Sequence, residues 1–130
     1  MRLNGDFYRI ESRLEGLPQG QSGFNIILNP DHLIFKAHFP GQPVTPGVCI
    51  LQMIQEVLSE QYGMPLFISK VKNAKFINMI SPVADGRVSV LFNSITEEDD
   101  GVKAQGVVSR PDSVTDLFLK FSLFLVKHPL

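Results

Sequence analysis

Residues 45–62 read TPGVCILQMIQEVLSEQY, followed by Gly63 and Pro65. Ile50, Leu51, Met53, Ile54, Val57 and Leu58 recur at helical spacing on one face. Gln52, Gln55, Glu56, Ser59 and Glu60 form the other, and Val48 and Cys49 make the first turn apolar. Thr45 is a good N-cap, Pro46 suits the first helical position, and Gly63 with Pro65 ends the run. The pattern predicts one long helix over residues 46–62. On its C-terminal side the period changes to two: residues 66–80, 87–95, 102–110 and 114–126 read as strands. Asp100-Gly101 and Pro111-Asp112-Ser113 are turn signals, so the last three strands should form an antiparallel meander. On the N-terminal side, residues 7–14 and 24–28 read as strands around a flexible turn at 16–23. A loop dense in Pro and Gly spans residues 39–47. One long helix and about six mostly antiparallel strands predict an α+β domain in which a sheet packs on the helix.

The chain has 130 residues, the size of one domain, here residues 1–130. Hydrophobic residues make up 44% and charged residues 19%, a globular rather than a disordered balance. Lys plus Arg (12) against Asp plus Glu (13) leaves net −1 without a long block of one sign. That excludes a dedicated nucleic-acid binder, whose affinity needs clustered positive charge. A single cysteine, Cys49, excludes a disulfide framework and a four-Cys zinc site. The first residues lack the apolar core of a signal peptide, and no apolar run reaches 18 residues. The expectation is a soluble, cytoplasmic domain with no membrane span.

Chemistry concentrates in residues 38–48, HFPGQPVTPGV. A histidine, the natural proton carrier near neutral pH, stands before a helix start whose unpaired N–H groups and dipole suit a developing oxyanion. Together they can polarise a carbonyl and remove the neighbouring proton. An isolated histidine is more often structural, and His32 and His128 keep that reading: His32 lies in a turn with no partner evident, His128 in the C-terminal tail. Cys49 at the helix start invites a nucleophile reading, but no second motif supports it.

The segment resembles the HFPGxPxxPGV signature of the 3-hydroxyacyl-[acyl-carrier-protein] dehydratases, with His38, Phe39, Pro40, Gly41, Pro43, Pro46, Gly47 and Val48 at its fixed positions. The resemblance continues in Asn73-Ala74-Lys75-Phe76 and Pro82-Val83-Ala84-Asp85-Gly86-Arg87, similar to that family's KARF…PVxPGD, and element order fits across about residues 5–127. It implies a hot-dog fold, an antiparallel sheet wrapped around one central helix. It also implies dehydration, or the reverse hydration, of a 3-hydroxyacyl thioester on an acyl carrier protein. His38 would be the base, Gly47 and Val48 the oxyanion and substrate-binding positions, and the acid would come from the partner subunit's helix. No cofactor and no metal are implied.

The acid position falls on Gln52. A carboxamide orients a hydroxyl but cannot deliver a proton, and general-acid assistance is worth about 10²–10⁴-fold. One turn later, where the family usually has Gln, this chain has Glu56. Residues i and i+4 share a helix face, so the expectation is a Gln52–Glu56 pair in which Glu56 carries the proton. The plain alternative is a polar stripe with Ser59 and Glu60. Lys70, Lys72 and Lys75 read either as a solvated strand face or as a basic patch for the carrier protein.

The substitution also motivates a catalytically weak partner subunit or acyl-binding protein, pairing with an active homologue. A hot-dog thioesterase, with Glu56 activating water, is the remaining alternative. The last strand is apolar on both faces, and one helix cannot cover both sides of such a sheet. A homodimer or higher homo-oligomer with joined sheets is therefore expected.

Overall fold

The computed structural model describes residues 2–37, 41, 43–111, 113 and 115–128. Among the described residues, six strands and two helices run in the order β1 (Tyr8–Arg13), β2 (Ser22–Leu28), α1 (Leu33–Ala37), α2 (Gly47–Tyr62), β3 (Phe67–Phe76), β4 (Arg87–Glu98), β5 (Gly101–Ser109) and β6 (Leu117–Val126). The strands form one antiparallel sheet in the order β1-β2-β4-β5-β6-β3. The expected β4-β5-β6 meander is present, and β3, the strand directly after the helix, lies at the edge beyond β6.

Alternation explains how the sheet closes on α2. Val88, Val90 and Phe92 of β4, Val102, Ala104 and Val108 of β5, and Leu119, Phe121, Leu123 and Leu125 of β6 are buried on one face. Met53, Ile54, Val57 and Leu58 of α2 are wholly buried against them. Burying each such side chain contributes about 1.5–3 kcal/mol. Gly106 lets β5 cross beneath the Phe92–Phe121 ring pair, because a Cβ there would meet Leu91 O at 2.0 Å.

Several boundaries differ from the sequence reading. The helix begins at Gly47, with Pro46 as N-cap in extended geometry (φ −61°, ψ 141°) and no side-chain cap. Thr45 is thus one position too early to cap, and its hydroxyl is buried without a partner among the described residues. At the other end Gly63, at φ 75°, adopts the left-handed cap that its sequence position predicted, and its N–H bonds Ser59 O at 3.0 Å. A five-residue helix, α1, occupies a stretch to which the sequence pattern assigns no element; Phe35 anchors it by stacking on Phe7 at 4.8 Å. Strand β6 starts at Leu117 rather than 114. Arg110 holds the preceding turn, its N–H on Asp116 O and its guanidinium on the Asp116 and Asp85 carboxylates.

Candidate active site

The polar face of α2 is a seam of hydrogen bonds to the rest of the chain. Gln55 Oε1 accepts the Ile68 N–H at 2.8 Å, and Ser59 Oγ accepts the Leu66 N–H at 2.9 Å, so the helix holds the start of β3. Glu56 does the same for the N-terminal segment. One of its oxygens accepts the Asn4 N–H at 2.7 Å and the Tyr8 hydroxyl at 3.0 Å. The other accepts the Leu3 N–H at 2.8 Å and the Gln52 amide at 2.8 Å. All four neighbours donate, which is the pattern of a carboxylate acting as acceptor only. Burial first, and the Glu56 charge second, push the Tyr8 phenol well above its ordinary value, so it stays a donor.

The expected Gln52–Glu56 pairing across one turn is therefore present, in a particular sense. Glu56 fixes the Gln52 amide by its nitrogen, which directs the amide oxygen away. Gln52 and Glu56 line a cavity of about 490 Å³ together with Arg2, Asn4, Glu60 and Phe67. The i,i+4 spacing announces the pair but not Leu3, Asn4 and Tyr8. Two of those contacts are backbone groups, which no residue pattern advertises.

A second cavity, of about 330 Å³, opens at the helix start beside Thr45, Gly47, Ile50, Phe76, Asn78 and Met79. The first α2 amide with a backbone acceptor among the described residues is that of Cys49, on Pro46 O at 3.0 Å. The N–H groups of Gly47 and Val48 precede it and belong to the unpaired set of a helix start. Gly47 lets the Phe76 ring lie close against the helix start: a Cβ would stand 2.9 Å from the ring, which would have to shift. Thr45 N–H on Ile80 O, at 2.9 Å, fixes the loop segment leading in.

His38, with Phe39, Pro40 and Gln42, lies outside the described residues. His32 differs from its sequence reading: it has partners. Its Nε2 lies 3.3 Å from Asp6 Oδ2, its Nδ1 accepts the Ile34 N–H, and its ring meets Phe7 edge-on. Cys49 is buried, and burial pushes its thiol up, against activation. Among the described residues no group of His, Cys, Asp and Glu could hold a metal, and no helix is long and apolar enough to cross a membrane.

Residues 18–105, more than half of the chain, match the family model for ApeI-like dehydratases, described as ApeI dehydratase. The chain belongs to the ApeI-like dehydratase family. This ApeI-like chain is 35% identical over 98 residues to the 3-hydroxyacyl-[acyl-carrier-protein] dehydratase FabZ of Latilactobacillus sakei, covering 70% of the chain and 69% of the relative. It is 30% identical over 93 residues to FabZ of Ligilactobacillus salivarius, covering 64% and 65%. The chain thus spans about two thirds of the length of these relatives. Among solved structures, the dehydratase heterocomplex ApeI:P from Xenorhabdus doucetiae aligns at TM-score 0.66 and 17% identity, covering 90% of this chain and 96% of that one. The thioesterase SAV0944 from Staphylococcus aureus aligns at TM-score 0.61 and 15% identity, covering 98% of both. The fold of the ApeI-like chain is the hot-dog fold, which dehydratases and thioesterases share.

Proposed function

We propose that the protein interconverts a 3-hydroxyacyl thioester and its enoyl product on an acyl carrier protein. His38 removes the proton next to the thioester carbonyl, and the Gly47 and Val48 N–H groups receive the charge that develops on the carbonyl oxygen. Gln52 hydrogen-bonds the departing hydroxyl, Glu56 positions Gln52, and the proton with which the hydroxyl leaves as water comes back from the His38 imidazolium. The observation that carries this reading is the helix start at Gly47, bare of side chain and opening on a cavity, in a chain of this dehydratase family. Glu56, with four donors upon it, acts as a positioning residue rather than as the acid that the sequence suggested.

The active unit is a homodimer joined along β3. That strand pairs only with β6 among the described residues, and Val71, Phe76, Ile77 and Met79, on it and just beyond it, are exposed apolar side chains. A monomer at micromolar concentration in sedimentation would contradict this.

The test is an assay of purified protein in both directions, on a 3-hydroxyacyl and an enoyl thioester, with free thiol followed in parallel. Enoyl formation supports a dehydratase, and thiol release alone supports a thioesterase. His38→Ala should abolish turnover and keep the fold, since the proline rings of Pro43 and Pro46 restrict the loop backbone and Gly41 supplies its positive φ, none of which needs the imidazole. Near-native turnover in that variant would remove His38 from the reaction.

One observation favours a second reading. Gln52 stands at the acid position and carries no carboxyl, and the Glu56 carboxylate beside it is committed to the Leu3 and Asn4 amides and the Gln52 side chain. The chain would then serve as the weak partner of a homologue carrying both His and Glu, as a heterodimer. Activity that appears only on adding such a homologue would support this reading.

A further inference from the structure

We infer that Tyr8 is a positioning residue for the proposed reaction: its phenol, with the turn that leads to it, locks the Glu56 carboxylate that seats the Gln52 amide. This rests on the role given to Gln52 above. The donors come from one short segment. Residues 3–8 fold back on themselves, with the Phe7 N–H on Leu3 O at 2.9 Å and the Gly5 N–H on Tyr8 O at 2.7 Å. Gly5 supplies the φ of 93° that this turn requires. The buried Leu3 and Phe7 side chains fix the segment in the core. The Leu3 amide at 2.8 Å, the Asn4 amide at 2.7 Å and the Tyr8 hydroxyl at 3.0 Å then converge on one carboxylate.

A carboxylate offers about four acceptor positions, and the Gln52 amide takes the remaining one at 2.8 Å. Turning the carboxylate plane away from Gln52 would draw it off the other three donors. Helix α2 alone would leave both long side chains a choice of rotamers. The direction in which Glu56 meets Gln52 is therefore set by residues 3–8. Of the three donors from that segment, the phenol is the one on a side chain, so it can be removed without touching the backbone. Tyr8 is 1% exposed, and burial first, then the Glu56 charge, hold its phenol above the ordinary value, so it donates throughout the neutral range. Tyr8 lines neither the cavity beside Gln52 nor the one at the helix start, so its influence on a substrate passes through Glu56. The turn also precedes residues 18–105, the stretch that matches the family model, so family membership does not by itself carry this seat.

Tyr8→Phe keeps the ring in the core and removes the hydroxyl alone. On a 3-hydroxyacyl thioester, kcat for enoyl formation should fall roughly three- to tenfold, with KM unchanged. The deciding comparison is the same change in a Gln52→Ala background, where kcat should fall no further because no amide is left to seat. An equal fall in both backgrounds would show a general loosening of the fold and overturn the inference. So would an unaltered kcat in Tyr8→Phe alone. Tyr62→Phe is the control: it removes a phenol bonded to Glu97 at the far end of α2 and should leave kcat unchanged. A fall as large as that of Tyr8→Phe would again overturn the inference. Wild-type kcat in Gln52→Ala would refute the role of Gln52 and the inference with it. If the wild type turns over neither thioester, the proposed reaction fails. The seat is then read by NMR of isotope-labelled glutamine, as it is where Gln52→Ala is too slow to measure. The Gln52 side-chain amide signals should shift and exchange faster with solvent in Tyr8→Phe, and unmoved signals would overturn the seat.

Discussion

The two faces of α2 hold the molecule together by different means. Met53, Ile54, Val57 and Leu58 meet the sheet through contact area alone, and their worth scales with the apolar surface removed from water. Gln55, Glu56 and Ser59, half-buried on the opposite face, each tie the helix to one backbone segment through one or two directed bonds. The apolar face therefore sets where the helix lies. The polar face sets where the N-terminal segment and the start of β3 lie relative to it, and it includes the position where the family places its acid. A polar stripe on a helix is not necessarily a solvated one.

This contrast predicts a graded set of losses. On the apolar face, Met53→Ala should cost about 2–5 kcal/mol in chemical denaturation, with the whole fold weakened together. A loss below 1 kcal/mol would mean that the core closes around the gap. On the polar face, Glu56→Gln places an amide NH₂ where donors converge and takes the acceptor from the two that met that oxygen, one of them a backbone amide. It should cost about 1–3 kcal/mol and expose the Leu3 and Asn4 amides to hydrogen exchange ahead of the core. Uniform exchange would show that the seam has no local role.

The smallest change concerns Tyr8, whose phenol is held well above its ordinary value by burial and by Glu56. In the unfolded chain that phenol ionises near pH 10. The stability it contributes is therefore present below about pH 10 and lost as the pH rises above it. Tyr8→Phe should cost about 1 kcal/mol at neutral pH and flatten the alkaline decline in Tm. An unaltered alkaline limb would remove Tyr8 from that transition.

Much of this architecture was legible in the sequence because it depends on period. The apolar stripe of α2, the Gly63 stop and the two-residue alternation of β4, β5 and β6 each follow from side-chain direction. The short helix α1 escaped because five residues carry too little periodicity, and its anchor, Phe35 on Phe7, is a long-range contact. The helix start shifted by one residue because Pro46 takes the cap position with extended backbone, a choice that Thr45 in the sequence obscured. At the candidate site, i,i+4 spacing announced the Gln52–Glu56 pair, but it could not tell an acid from an acceptor. What favours the acceptor role proposed above is the set of Leu3, Asn4 and Tyr8 donors, brought in from the other end of the chain by the fold.

The most direct measurement is therefore kcat for enoyl formation by Gln52→Glu beside the wild type on one 3-hydroxyacyl thioester. A carboxyl at position 52 would stand against the Glu56 carboxylate and, facing a like charge, would keep its proton to higher pH. If Glu56 only positions residue 52, this variant gains the missing acid, and kcat should rise by up to roughly 10²-fold. A fall in kcat, in a variant that stays folded, would show that Glu56 already carries the proton in the wild type and would contradict its assignment as an acceptor.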